Sequence, residues 1–251
     1  MSLIYGITGS TNFFEIQNQL VGGSGDYNLI FVIAIVMILV GFGYKISMVP
    51  FHFWTPDVYE GAPLSSTIIF SIIPKLVIFS FFVKWLCITS DIFFEIKGLL
   101  CVVGIISVIT GTFFALKQKR VKRLVIYSSI AQIGFLVAAL ATGTVDGFSS
   151  IFFFLIIYII SSILVWNHIT LFYNFQYKIN IFNKKVLTPL FLSNFSNLFS
   201  VNTLWAVSFL FLFFSIAGIP PFSGFLAKIF ILFSLINSNH LITALFLIVI
   251  S

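Results

Sequence analysis

Three lysines, Lys45, Lys75 and Lys228, lie inside long apolar runs with no acidic residue within several positions of any of them. Burying a lysine near the middle of a bilayer costs about 2.5–3.5 kcal/mol on insertion scales. Two readings of each are open. The long stem can let the ammonium snorkel to the membrane surface. Alternatively, a lysine that moves between dry surroundings and a nearby carboxylate can gain and lose a proton near neutral pH, which is what a proton relay needs. Three such residues in one chain favour the second reading.

Prolines accompany the lysines. Pro50 offers no N–H to the carbonyl of Ile46, Pro74 none to that of Phe70, and Pro220 and Pro221 none to those of Ile216 and Ala217. Carbonyls freed inside a membrane must meet water, side chains or ions. Either they are ordinary kinks for packing, or water drawn to them forms a proton wire beside the lysines. His52 follows Lys45 by seven residues, about 10 Å along an unbroken helix and on the same face. Its ordinary pKa suits proton transfer, and a histidine bonded to backbone at the interface is the other reading. His168 is a weaker candidate, and His240 reads as a solvated turn residue. Asp57 and Glu60 read as ties of a turn.

The elements that must carry these residues are membrane helices. The chain is 60% hydrophobic and only 8% charged, far below the roughly 25% charged content of soluble domains. Apolar runs long enough for a bilayer follow one another, so the expected fold is all-α, a polytopic transmembrane helical bundle within a single domain. Full spans are expected near residues 28–54, 64–86, 98–116, 121–141, 148–173 and 203–235. Residues 1–27 read as the tail of an earlier helix plus an outer loop, and 241–251 as a partial span. Lys117, Lys119, Arg120, Lys122 and Arg123 crowd one connection and Lys178, Lys184 and Lys185 another, which puts both on the inner side, with Asp91 and Asp146 outside. The net charge of +6 therefore reads as a topology signal with acidic lipid contact, and no nucleic-acid surface is expected. Cys87 and Cys101 are too few and too far apart for an iron–sulfur cluster or zinc site. No Lys or Arg precedes Lys45, so no signal or transit peptide is expected at the start. The lysine–proline pairs near residues 50 and 220 echo each other, a pointer to a transport site at interrupted helices.

The stretches FGYKISMVPFHFWTPDVYEGAP, RLVIYSSIAQIGFL and AGIPPFSGFLAKIF, in that order, resemble the antiporter-like subunit 2 family of respiratory complex I, NADH:ubiquinone oxidoreductase. SLIYGITGSTNFF resembles the end of an earlier helix of the same family. The resemblance implies an antiporter-like bundle with two proline-interrupted helices and a membrane-arm subunit that moves protons, driven by quinone reduction elsewhere. It implies that Lys45 and Lys228 are the lysines of the two broken helices and Lys75 the central one. Gln132 stands where the family commonly has histidine, and Pro74 before the central lysine is a departure. No cofactor is expected in this chain; FMN, iron–sulfur clusters and ubiquinone are expected in other subunits. Expected partners are other membrane-arm subunits, membrane lipids and a separate chain supplying the preceding helices, whose glutamate would pair with Lys45. The expected location is the mitochondrial inner membrane, or alternatively a bacterial plasma membrane. A subunit of a multi-subunit cation/proton antiporter and a non-conducting scaffold are the competing readings.

Overall fold

The computed structural model describes residues 2–22, 29–88, 93–182, 191–195 and 198–250. Asp26, Asp91, Lys184 and Lys185 lie outside them. The described chain runs through α1 (Ser2–Thr8), α2 (Phe13–Gly22), α3 (Leu29–Ile46), α4 (Trp54–Gly61), α5 (Leu64–Ile88) and α6 (Phe93–Leu116). It continues through α7 (Val121–Leu140), α8 (Val145–Phe182), α9 (Leu198–Val201), α10 (Thr203–Ala217), α11 (Ser223–Asn237) and α12 (Leu241–Ile250). Four of these helices, α5 to α8, are long and apolar enough to cross a membrane, and the chain is an all-α membrane helical bundle.

Local chemistry sets the helix boundaries, and some of them differ from the sequence reading. Residues 28–54 do not form one helix: α3 stops at Ile46, Ser47 takes a left-handed φ of 60°, and α4 starts only at Trp54, with Pro50 in the gap. Residues 203–235 divide likewise at Gly218, whose φ of 81° closes α10 as a C-cap before Pro220 and Pro221. Pro74, by contrast, lies inside an uninterrupted α5. α8 continues past residue 173 to Phe182, and the polar segment read as loop at 8–27 contains α2.

The centre of the bundle is α7. Its residues 133–140 are all buried, and it packs on α4, α6, α8 and α11. The pairing with α6 is the most extensive in the molecule, and small residues allow it. A Cβ added at Gly111 would stand 2.5 Å from the backbone nitrogen of Ala131, and one at Gly134 would stand 2.8 Å from the carbonyl of Gly104 and the nitrogen of Val108. Helices that approach this closely gain dispersion contacts that lipid cannot supply.

At one end of the bundle three connections meet. Arg120 pairs with Phe191 in an isolated antiparallel bridge, and the Leu192 N–H donates to Lys119 O at 2.9 Å. Arg120 and Arg123 also reach the α4 region, so the connections before α5, before α7 and after α8 share this end.

Because the atoms facing Gly111 are backbone, they cannot turn aside. Gly111→Ala is expected to lower stability by about 1–3 kcal/mol through overpacking. Gly41→Ala, inside α3 with nothing within 4 Å, should leave it unchanged or raise it by up to about 1 kcal/mol. Thermal unfolding of the two variants side by side measures the difference.

Candidate proton-transfer site

Lys75 is 2% exposed, on α5 and surrounded by α7 and α8. Its Nζ donates to Ser129 Oγ at 3.0 Å and to Tyr158 Oη at 2.8 Å. Tyr158 in turn donates to the carbonyl of Ser71 at 3.1 Å, and Ser129 to that of Ile126 at 2.7 Å. No carboxylate joins this group among the described ion pairs. Among the described residues the ammonium is thus held by hydroxyls, with no ion pair.

Lys228 sits at the second interruption. Its Nζ donates to the carbonyl of Ala217 at 2.8 Å and lies 5.2 Å from the centroid of the Phe135 ring. Pro221 has no N–H to give that carbonyl, and the lysine takes its place. Gly218 makes room: a Cβ there would stand 3.0 Å from Nζ and 2.9 Å from Cδ. Gly224 similarly lets the start of α11 approach the carbonyl of Ser215.

Two cavities adjoin these groups. One, of about 20 Å³, is lined by Tyr59, Ser71, Ser128, Ser129, Gln132 and Tyr158 among others, which is room for a single water among polar partners. The other, of about 360 Å³, includes Ser128, Gln132 and Lys228 in its wall. Ser128 and Gln132 belong to both. Ile216 is shared as well, so the two cavities adjoin, and the wall of the larger one is mostly apolar around Ser128, Gln132 and Lys228.

Lys45 lines neither cavity. It is exposed on the last turn of α3, and none of the ion pairs among the described residues includes it. The gap after it is closed by other groups: Trp54 Nε1 donates to Tyr44 O at 3.0 Å, and the Val49 N–H donates to Ser107 Oγ at 3.2 Å. Since the helix ends at Ile46, seven-residue spacing does not put Lys45 and His52 on one helical face. His52 is 4% exposed, and among the described residues neither its Nδ1 nor the buried Oγ1 of Thr55 has a hydrogen-bond partner. His168 Nδ1 accepts from Trp205 Nε1 at 2.6 Å. His240 is no solvated turn residue: it is half-buried, with Nδ1 3.8 Å from Cys101 Sγ. Among the described residues no His, Cys, Asp or Glu cluster could hold a metal ion.

Asp57 and Glu60 do more than tie a turn. Glu60 meets both Arg120 and Arg123, and Asp57 accepts from Arg123 Nη2 at 2.7 Å. Lys122 Nζ adds a bond to the carbonyl of Ala62 at 3.0 Å, just past the end of α4. These contacts fasten α4 to the first turn of α7. Tyr59, Ser129 and Tyr158 were not singled out from the sequence; the carbonyl freed by Pro74 was the signal that a donor had to be nearby.

The bundle with two interrupted helices and lysine-bearing breaks defines an antiporter-like membrane protein. The family described as NADH:quinone oxidoreductase/Mrp antiporter, TM, matches residues 1–251, and the chain belongs to that family. It is 37% identical to the NADH-quinone oxidoreductase subunit N of Wolbachia sp. subsp. Brugia malayi, over 100% of this chain and 51% of that protein. A chain of respiratory complex I from Thermus thermophilus with bound aureothin is 26% identical, with a TM-score of 0.71, over 99% of this chain and 51% of that one. The Mrp complex of Dietzia sp. DQ12-45-1b contains a chain of the same fold, at 23% identity and a TM-score of 0.82, matched over 99% of this chain and 44% of that one. The chain spans about half the length of the relatives it matches.

Burial works against the Glu60 charge, but the Arg120 and Arg123 hydrogen bonds outweigh it and hold the carboxyl below its usual range. A lowered folded-state pKa gives stability that is present above the ordinary glutamate value of about 4.3 and lost as pH falls through the folded value. The melting temperature is therefore expected to fall on acidification below about pH 4, and Glu60→Gln to be less stable at neutral pH with a flatter acid limb. Melting curves of both proteins across that range check it.

Proposed function

We propose that this chain is a proton-translocating part of the membrane arm of an NADH:quinone oxidoreductase, coupling electron transfer in other subunits to proton movement through its lysines. The observation that carries the reading is Lys75, buried with no carboxylate partner among the described residues and held by Ser129 and Tyr158, beside a small cavity that shares Ser128 and Gln132 with the larger cavity at Lys228. In this reading Lys75 is the central proton-transfer group and Lys228 the group at the second break. Lys45 is the group at the first, its counter-charge supplied by a neighbouring polypeptide of the membrane arm, as its exposed position allows. His52, buried with an unpartnered ring nitrogen, serves as an auxiliary carrier near the first break.

FMN, iron–sulfur clusters and ubiquinone belong to other subunits in this proposal, since the chemistry assigned to this chain is proton transfer alone. Residues 1–251 form one transmembrane domain in contact with membrane lipids. The membrane is a mitochondrial inner membrane or a bacterial plasma membrane, the latter in keeping with the Wolbachia relative. A multi-subunit cation/proton antiporter is the second reading, supported by the shared fold of the Mrp chain. Co-purification with flavin and iron–sulfur subunits separates the two.

Lys75→Ala and Lys228→Ala, in assembled complex, are each expected to lower the protons moved per quinone reduced by about tenfold or more. Lys84→Ala, at an exposed position that lines neither cavity, should not. Proton uptake by reconstituted vesicles reports the ratio. Unchanged pumping at normal assembly in both lysine variants would leave a scaffold.

A further inference from the structure

Pro74 removes the N–H that would bond the carbonyl of Phe70 one turn earlier, yet α5 runs through it unbroken. The carbonyl is not left to lipid. Tyr59, reaching across from α4, donates its hydroxyl to Phe70 O at 2.9 Å. The next carbonyl, Ser71 O, accepts from Tyr158, the same hydroxyl that receives Lys75 Nζ. Two tyrosines from two different helices thus hold consecutive carbonyls of the turn that leads into Pro74 and Lys75.

Tyr59 is well placed for this. It is 7% exposed, packs edge-on against Trp54 at 5.9 Å, and contributes to the wall of the small cavity beside Tyr158 and Ser129. Its neighbour Glu60 fastens α4 to α7 through Arg120 and Arg123. Burial pushes the Tyr59 phenol up to about 12, so the hydroxyl keeps its proton, and its role as donor, at any physiological pH.

We propose that Tyr59 is a positioning residue for Lys75, acting through the Phe70 carbonyl that Pro74 leaves free. Proline makes α5 locally easy to bend, because one rung of its hydrogen-bond ladder is missing. The Tyr59 hydroxyl replaces that rung with a bond to a different helix. The bend of α5, and with it the approach of Lys75 to Ser129 and Tyr158, is then set by α4. Since α4 is the segment that follows the first interruption, the bond ties the Lys45 break to the central lysine with no charged group in between. This rests on the proton-transfer role proposed for Lys75.

The test is a four-cornered cycle in assembled complex: unaltered chain, Tyr59→Phe, Pro74→Ala, and both. The readout is protons moved per quinone reduced, a ratio that general damage, slowing both processes together, would not change. Tyr59→Phe is expected to lower the ratio roughly fivefold, as when a buried carbonyl loses its partner. Pro74→Ala restores an N–H four residues after Phe70, so in that background Tyr59→Phe should change the ratio by less than about twofold. An unchanged ratio in Tyr59→Phe, or losses that multiply independently in the double variant, would overturn the proposal. Should Tyr59→Phe fail to assemble, the amount of assembled complex is read across the same cycle: recovery in the double variant supports the link, and no recovery overturns it. Lys75→Ala in the same assay separates the two readings. Normal pumping there removes the role of Lys75 itself, whereas lost pumping with independent Tyr59 and Pro74 effects removes the link alone.

Discussion

A backbone carbonyl without a donor is hard to keep in an apolar bundle, and much of this chain's organisation follows from how it meets that constraint at its prolines. Ile46 O, which Pro50 cannot reach, accepts from Ser47 Oγ at 2.6 Å. Phe70 O, opposite Pro74, takes the Tyr59 hydroxyl, and Ala217 O, opposite Pro221, takes the Lys228 ammonium. The three solutions differ in reach. Ser47 closes its own turn, Tyr59 joins two helices, and Lys228 brings a charge to the break. Only the last two couple the backbone to groups elsewhere, and each contributes to the wall of one of the two cavities.

The helix that makes these solutions compatible is α7. Its first turn holds α4 by ion pairs, its middle supplies Ser128, Ser129 and Gln132 to the cavities, and its last two turns are locked against α6 by small residues. Rigidity of this kind suits an element that must keep hydroxyls at hydrogen-bonding distance from a buried ammonium, since an error of even 1 Å in such a group is felt in the rate. The exposed end of the bundle contributes by fastening: Glu60 receives two guanidinium groups at once, a geometry for which arginine is suited and lysine is not.

Hydropathy made α5 to α8 plain in the sequence, because runs of twenty or so apolar residues admit few alternatives. The lysines and prolines marked the breaks for the same reason, each being a group that lipid does not tolerate. What could not be read was what met them. Tyr59 lies in a polar stretch and Tyr158 in an apolar one, and nothing in their immediate neighbours tells that both face α5; that depends on how α4, α5 and α8 pack. His240 looked solvated because it falls in a turn, but Cys101 of α6 lies near it. The end of α3 also mattered more than expected. With a left-handed residue at Ser47 and α3 ending at Ile46, Lys45 and His52 share no helix.

Gly218 has a further meaning. With no β-carbon, it leaves the Lys228 stem free to lie against the turn that closes α10, since a Cβ there would stand 2.9 Å from Cδ and 3.0 Å from Nζ, and the tip of the stem meets Ala217 O. The break and its cation thus form one unit: a methyl group on the neighbouring turn would contest the space that the ammonium takes up.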